Sequence, residues 1–312
     1  MMLMSLAAMA ALGQSLPPVS PDRLTLVGER VEAFTVLGGA YGVSGGAYTF
    51  RGGDSPSLSV TKLGGSGDLG PRNPLGIGDI KWNLSLGGNI GQISAAATIK
   101  DGVLAGNELS ASTFGIEFGG GARFWFNDHL SLAPTISGMY GNVETTFHAK
   151  TPTGEQYESA MIQAGWVNWK VDTWSVVPAA DLQYVLMWGR SEWDFNSTFT
   201  YFHTESFSST SPVISVTGNS QTWVNKLDVD VPLGINIFNH ELHSGGFFSR
   251  TDLYGGLNTG LNADYFYTIN GRLVLDYLGK LWKVRWIGIG GSYFWSNNFN
   301  GWSVGLDIRF RF

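Results

Sequence analysis

The sequence predicts an all-β protein: a transmembrane, antiparallel, up-and-down β-barrel of about twelve strands, with a short N-terminal helical segment. Three observations carry this. The last segment of the chain alternates strictly, with Trp302, Val304, Leu306, Ile308, Phe310 and Phe312 interleaved with Ser303, Gly305, Asp307, Arg309 and Arg311. That is the side-chain period of a strand with one apolar and one charged face. Similar segments of roughly ten residues recur back to residue 79, long enough to cross a bilayer at a tilt. Composition agrees: charged residues are 14% of the 312, against roughly 25% in soluble domains.

The same composition excludes several classes. Aromatic residues are 13% and glycines number 43, which suits a chain with two non-aqueous or semi-aqueous surfaces. A net charge of −6 leaves no basic footprint for nucleic acid. The lack of Cys excludes disulfides and thiol catalysis. There is no run of about 18 apolar residues, so no transmembrane helix is expected. No motif calls for a cofactor or a metal.

Residues 1–20 read as a signal-peptide-like segment. Leu3 to Leu12 has the length and composition of an apolar h-region, and Ala11, Leu12 and Gly13 offer a small-residue cleavage site, although the positive n-region is missing. Residues 21–78 form an N-terminal helix followed by a Gly- and Pro-rich segment. The helix is expected over 20–38: Ser20 caps, Pro21 suits the first turn, and Leu24, Val27, Val31, Phe34 and Leu37 recur at helical spacing before Gly38 and Gly39. Strand-like pieces at Ala47–Phe50 and Leu58–Leu63 follow, with their place in a sheet left open.

Residues 79–312 are the expected barrel. Ile80, Trp82, Leu84, Leu86 and Ile90 share one strand face, and Phe114, Ile116, Phe118, Ala122, Phe124 and Phe126 another. Asn127 and Asp128 turn tightly into Leu130, Leu132, Ile136 and Tyr140. Trp174, Val176, Ala180, Leu182, Tyr184, Leu186 and Trp188 form a further face, as do Leu227, Val229, Val231, Leu233, Ile235 and Ile237. Weaker strands are expected around 157–169, 192–206, 211–219, 245–258, 266–278 and 283–296. With the chain end periplasmic, the 127–128 turn is periplasmic and the connections near 99–111 and 147–156 are external. Pro134, Pro178 and Pro232 lie inside apolar runs and must sit at bulges, beyond the bilayer or outside the strand limits drawn here, because a closed barrel has no free edge.

Energetics assigns the faces. An Arg or Lys facing lipid at mid-depth costs about 2–4 kcal/mol, so the charged faces are expected to line the lumen: Asp228 and Asp230, Arg250 and Asp252, Arg272 and Asp276, then Asp307, Arg309 and Arg311. Trp82, Trp125, Trp169, Trp174, Trp188, Trp223, Trp282, Trp295 and Trp302 fall near strand ends, as interfacial girdles require.

Chemistry is thinly signalled. Gly65 to Gly70 matches G-x-G-x-x-G, but Pro71 and Pro74 forbid the helix a dinucleotide site needs, so a flexible loop is the reading. Gly42 to Gly46 matches G-x-S-x-G with no helix pattern behind it. His240 and His243 read as part of a polar turn rather than a metal pair. His129 and Ser131, two apart on one strand, are the testable hydrolytic pair. Outer-membrane phospholipases use such a pair with an Asn, but their Asn-Gly-Arg segment after the nucleophile is absent here, and Asn270, Gly271 and Arg272 lie far along the chain.

The stretches Tyr184 to Arg190, Asn225 to Leu233, Gly271 to Asp276 and Gly301 to Phe312 resemble solitary autotransporter-like outer-membrane barrels, whose hallmark is a C-terminal Phe. The resemblance implies a bacterial outer-membrane location, insertion through the barrel-assembly machinery by the C-terminal strand, and contact with outer-membrane lipids as a monomer. It implies a non-enzymatic translocator-type barrel without a passenger domain, structural or a narrow pore, its lumen plugged by the 20–38 helix. The alternatives are a lipid-modifying barrel enzyme and a soluble periplasmic β-protein.

Overall fold

A computed structural model describes residues 29–37, 46–50, 57–100, 102–211, 213–277 and 284–310. Twelve strands among them close one antiparallel sheet into a barrel. They are β1 (Gly46–Phe50), β2 (Ser57–Pro74), β3 (Lys81–Thr98), β4 (Glu108–Trp125), β5 (Leu130–His148) and β6 (Lys170–Trp188). The second half comprises β7 (Ser191–Ser209), β8 (Thr217–Ile237), β9 (His240–Gly255), β10 (Tyr265–Asp276), β11 (Val284–Trp295) and β12 (Phe299–Phe310). Each strand pairs with its sequence neighbours, and β1 meets β12 from Ala47↔Trp302 to Phe50↔Phe299. Helix α1 spans residues 29–37, α2 Pro152–Gln163 and α3 Gly256–Leu261.

The two rims differ. One carries the turns at 75–80, 126–129, 189–190 and 238–239, together with the end of β12. Asn127 Oδ1 holds its turn by accepting from the backbone N–H groups of His129 and Leu130, both at 2.8 Å. Phe238 and Asn239 have φ of 51° and 64°, the conformation of a two-residue hairpin turn whose twist matches the strands. The opposite rim carries the connections 99–107, 149–169, 210–216 and 256–264. We call these the inner and outer rims.

Strands β2 to β8 run for 18 to 21 residues, about twice the 9–11 that a bilayer needs. Leu84, Leu86, Phe118, Ile136, Leu182, Leu227, Leu273 and Ile289 stay exposed on the outward side. An apolar belt this wide is out of place in water and fits hydrocarbon. Nearer the outer rim the outward positions turn polar, so the wall extends past the belt on that side.

Several expectations need correction. Residues 157–169 are not a strand: α2 covers 152–163, because Thr151 caps it by accepting from the Gly154 N–H at 3.0 Å and Pro152 opens its first turn. Most of 211–219 is a connection into β8. The barrel starts at Gly46 rather than residue 79, since β1 and β2 join the sheet. The Gly65–Gly70 segment is part of β2, not a loop, and the register shifts between Leu69 and Asn73, where Gly70 has φ 77°. The proposed helix start, the 1–20 segment, Trp282, Arg311 and Phe312 lie outside the described residues.

The three prolines sit where the ladder lapses. Pairing of β4 with β5 skips from Gly121↔Thr135 to Phe124↔Leu132 beside Pro134. Between β6 and β7 it skips from Val176↔His203 to Ala179↔Thr200 beside Pro178. The β8–β9 register shifts between Pro232 and Ile235, with Gly234 at φ 70°. A missing N–H costs nothing where no acceptor waits for it.

Candidate functional site

The lumen is the candidate site, and it has two layers. In the outer layer α1 is buried on every side: Val31, Ala33 and Val36 are each 1% exposed. A short helix with so little solvent contact behaves as a core element. Val36 and Leu37 pack among Val60, Ile93, Met139, Val177 and Phe202. Val31 packs among Val143, Trp169, Val171, Ile214 and Val216, nearer the outer rim. The N-terminal end of α1 therefore faces outward and its C-terminal end inward.

Glycines in the wall and in α3 make room for the helix. A Cβ at Gly218 or Gly256 would run into the Glu32 carboxylate, and one at Gly260 would stand 2.7 Å from the Ala33 Cβ. Polar contacts fix the seat. Ser220 Oγ donates to Glu32 Oε1 at 2.6 Å and itself accepts from the Leu257 N–H at 3.1 Å. The Thr35 and Thr173 hydroxyls are 3.3 Å apart, and Thr173 donates to the Gly141 carbonyl at 3.1 Å. Ser220 lies three residues toward the outer rim from the exposed Trp223, so Glu32 is held in the outer layer. Burial holds its carboxyl above the usual carboxylate range, against the opposing pull of the Ser220 bond.

The inner layer is a charged network. Arg123 on β4 donates from Nε to Asp68 Oδ1 at 3.2 Å and from Nη2 to Asp181 Oδ2 at 3.1 Å. Its Nη1 reaches Ser131 Oγ and Gln183 Oε1, both at 3.0 Å. Asp181 also accepts from Thr198 at 2.7 Å, and Gln183 donates to Asp194 at 2.8 Å. One guanidinium thus ties β2, β4, β5 and β6 together, and its partners extend the tie to β7. Across the lumen Arg272 binds Asp228 through both terminal nitrogens at 3.0 and 2.6 Å. His243 Nδ1 stands 2.6 Å from Asp230 Oδ2, and its Nε2 is 4.0 Å from Asp276.

Of the charged residues expected in the lumen, Asp228, Asp230, Arg272 and Asp276 therefore lie together in this layer. Arg250 and Asp252 do not. They alternate with the buried Ser249, Thr251 and Leu253 and share the outward side of β9 with the exposed Phe248 and Tyr254. There Arg250 chelates Asp252 at 2.9 and 2.6 Å and lies 4.8 Å over the Tyr265 ring. Pairing and an aromatic neighbour offset an outward charge near the interface, which the mid-bilayer penalty had counted in full. Asp307 and Arg309 sit on β12 opposite Gly288 and Trp286.

The closing strand's Trp302, Val304 and Leu306 are exposed, and Ile308 and Phe310 pair with Ile287 and Val284. Two of the expected girdle tryptophans point elsewhere. Trp125 faces the lumen, donating to Asn83 Oδ1 at 2.9 Å with the Arg72 guanidinium 3.5 Å over its ring. Trp169 is buried beneath the outer connections.

The expected hydrolytic pair is not assembled. Ser131 is buried on Arg123, whereas the His129 ring is exposed, with Nδ1 at 2.8 Å from the Val185 carbonyl. Asn270 is engaged by Ser292 and the Gly291 carbonyl on β11. His240 and His243 are likewise separated, the first stacked 3.8 Å from Tyr277 and the second on Asp230. Residues missed in the sequence, Arg123, Asp68, Asp181 and Asp194, carried one usable signal: Arg123 stands on the polar side of the alternation in β4.

Residues 73–308 match the family described as solitary outer membrane autotransporter beta-barrel domain. No curated protein sequence matches the chain. The fold is similar to the transport unit of the autotransporter AIDA-I from Escherichia coli, with TM-score 0.51 and 10% identity, covering 86% of this chain and 88% of that one. The β domain of the Bordetella autotransporter BrkA gives TM-score 0.49 and 13% identity over 86% and 96% of the two chains. The translocator domain of NalP from Neisseria meningitidis gives TM-score 0.49 and 13% identity over 91% and 95%.

Proposed function

The chain belongs to the family of solitary outer membrane autotransporter β-barrel domains, and from that premise we propose that it is a self-plugged barrel whose lumen opens only when α1 leaves. The barrel is embedded in the bacterial outer membrane. The observation that carries the proposal is the seating of α1, which fills the outer layer with apolar side chains and anchors Glu32 on Ser220. Below it the Arg123 and Arg272 networks draw opposite charges across the inner layer, so ions meet paired groups rather than a free charged ring.

In this reading the lumen is structural or a latent narrow pore, acts without a passenger domain, and performs no chemistry. Outer-membrane lipids are the contacts of the outward belt, β12 is the handle for the barrel-assembly machinery, and the barrel works as a monomer. Planar-bilayer recording tests the plug. The full chain is expected to be silent, and a variant lacking residues 29–37 to show steady ion conductance. Equal conductance in both would overturn the plug.

A further inference from the structure

On the outward side of the wall, close to the outer rim, β4 and β5 bring together a serine, a histidine and a carboxylate. Alternation places Glu108, Ser110 and Ser112 on the same side as the exposed Phe114 and Ile116, with Leu109 and Thr113 buried between them. On β5 Glu144, Thr146 and His148 face outward, and Val143, Thr145 and Phe147 inward. The register sets Glu108 opposite His148 and Ser110 opposite Thr146. His148 Nε2 is 3.3 Å from Ser110 Oγ, which donates to the Thr146 carbonyl at 3.3 Å. Glu108 Oε2 accepts from Lys150 Nζ at 2.5 Å. Beside Ser110 runs a groove of about 370 Å³, lined by Ser94, Ala96, Ser110, Ser112, Glu144 and Thr146.

We propose that this is a hydrolytic site for carboxylic esters, with Ser110 as nucleophile and His148 as general base. The Ser110–His148 separation is that of a pair before substrate draws it tight. Glu108, the register partner of His148, places negative charge beside the imidazolium that forms during attack. The groove admits an extended acyl or alkyl chain along its serines and alanines, with Glu144 the one long side chain in its lining. Backbone N–H groups of both strands are committed to the ladder, so the hydroxyls of Thr146, the register partner of Ser110, and of Ser112 are left as donors to a developing oxyanion. Such a hole is weaker than one of paired backbone donors. That restricts the site to esters, whose alkoxide leaves more readily than an amine.

The steps balance. Ser110 Oγ bonds to the ester carbonyl carbon as its proton passes to His148 Nε2. The tetrahedral adduct collapses, the carbon–alkoxide bond breaks, and His148 returns the proton to the departing alcohol. Water then attacks the acyl-serine, giving its proton to His148, which passes it to Ser110 as the acid leaves. Neither oxidant nor metal is needed. Ser110 stands four residues outward of Phe114, at the level of lipid headgroups and surface solutes, so lipid and soluble esters share the chemistry the site would recognise.

The test uses the refolded full chain in detergent, treated with a fluorophosphonate probe and digested for peptide mapping. The probe is expected to label Ser110, and His148→Ala to slow labelling by about a hundredfold, the scale of general-base assistance. Hydrolysis of p-nitrophenyl butyrate should fall in parallel. Glu108→Gln should lower kcat for this ester with KM unchanged, which a merely structural role would not do. Boiled against unboiled gel migration checks that each variant still forms the barrel. Release of fatty acid from phosphatidylethanolamine vesicles assigns the site to lipid esters, and turnover of p-nitrophenyl butyrate alone assigns it to soluble ones. No label on Ser110, or labelling of His148→Ala at the unaltered rate, would overturn the proposal.

Discussion

Ser220 on β8 donates to Glu32 on α1 at 2.6 Å, joining the lumen helix to a wall residue 188 positions along the chain. Both groups are buried. A hydrogen bond to a charged group contributes about 1.5–3 kcal/mol, which is roughly a tenfold to hundredfold bias toward the seated helix. Ser220→Ala is therefore expected to give brief conducting events in planar bilayers. Gly218→Val, whose side chain would occupy the place of the Glu32 carboxylate, should give longer ones. Open probability unchanged in both variants would show that Glu32 does not anchor the helix.

Acidity should tighten the plug. Burial raises the Glu32 carboxyl above its ordinary range, so the seated helix binds that proton more strongly than the released one. Above the unshifted carboxylate range the charged group weakens the seat. As pH falls through the raised value and then the ordinary one, this penalty disappears. In the Ser220→Ala variant, which lacks the bond that opposes the shift, conducting events should become rarer on acidification. An open probability that rises under acid would contradict the sign.

Arg123 should matter more to the barrel than any other charge in the inner layer. Removing its guanidinium leaves Asp68 and Asp181 facing the lumen without their ion-pair partner. Breaking a buried pair from one side costs about 3–5 kcal/mol, somewhat less here because these carboxylates are partly hydrated. Arg123→Ala is expected to lower the temperature at which the folded gel band is lost. Adding Asp181→Asn should recover part of the loss, by relieving one stranded charge. A thermal transition for Arg123→Ala equal to that of the unaltered chain would make the network decorative.

The architecture was legible because a membrane wall imposes one rule on every strand, and alternation reports it residue by residue. The expected number of strands agrees with the twelve observed, but not strand for strand. Segment 157–169 and most of 211–219 are not wall strands, while β1 and β2 are. The first error overlooked a helix start written plainly at Thr151 and Pro152. The place of β1 and β2 stayed open in the sequence because β2 contains Pro71 and a cluster of glycines, normally signs of a loop, which a bulge absorbs. Arg250 and Asp252 were misplaced by a different cause: charge was taken to select the lumen at every depth, whereas the cost of an outward charge falls toward the interface. Pair assignments such as Arg123 with Asp181 depend on barrel shear, which no single-strand pattern contains.

The outer connections should behave as one rigid cap. Asn107 is fully buried, and its Oδ1 accepts from the N–H groups of Lys150 and Thr151 at 2.7 and 3.1 Å. Its Nδ2 donates to the Leu104 carbonyl at 2.8 Å and to Thr151 Oγ1 at 3.0 Å. Asn107→Ala strips all of these bonds at once, leaving backbone donors at the start of α2 unsatisfied. Proteolysis of intact cells is expected to nick the 149–169 connection in this variant and spare it in the unaltered protein. Equal resistance would mean that the apolar cluster of Leu104, Phe147 and Met161 holds the cap alone.

The depth of the barrel in the membrane can be read from one strand. On the outward side of β6, Lys170 lies at the outer end, Trp174 four residues on, and Leu182 in the middle of the belt. An Arg at the bilayer midplane of a barrel costs about 2–4 kcal/mol, falling to about 0–1 kcal/mol at the interfaces. Leu182→Arg should therefore lower folding stability in lipid vesicles by an amount in the first range, measured by urea titration of tryptophan fluorescence. Lys170→Gln, at a level where the chain already carries a charge, should change it by less than about 1 kcal/mol. Detergent removes the fixed thickness of the bilayer, so the difference between the two variants should shrink in micelles. If Leu182→Arg were as mild as Lys170→Gln in vesicles, the belt would not be where the hydrocarbon lies.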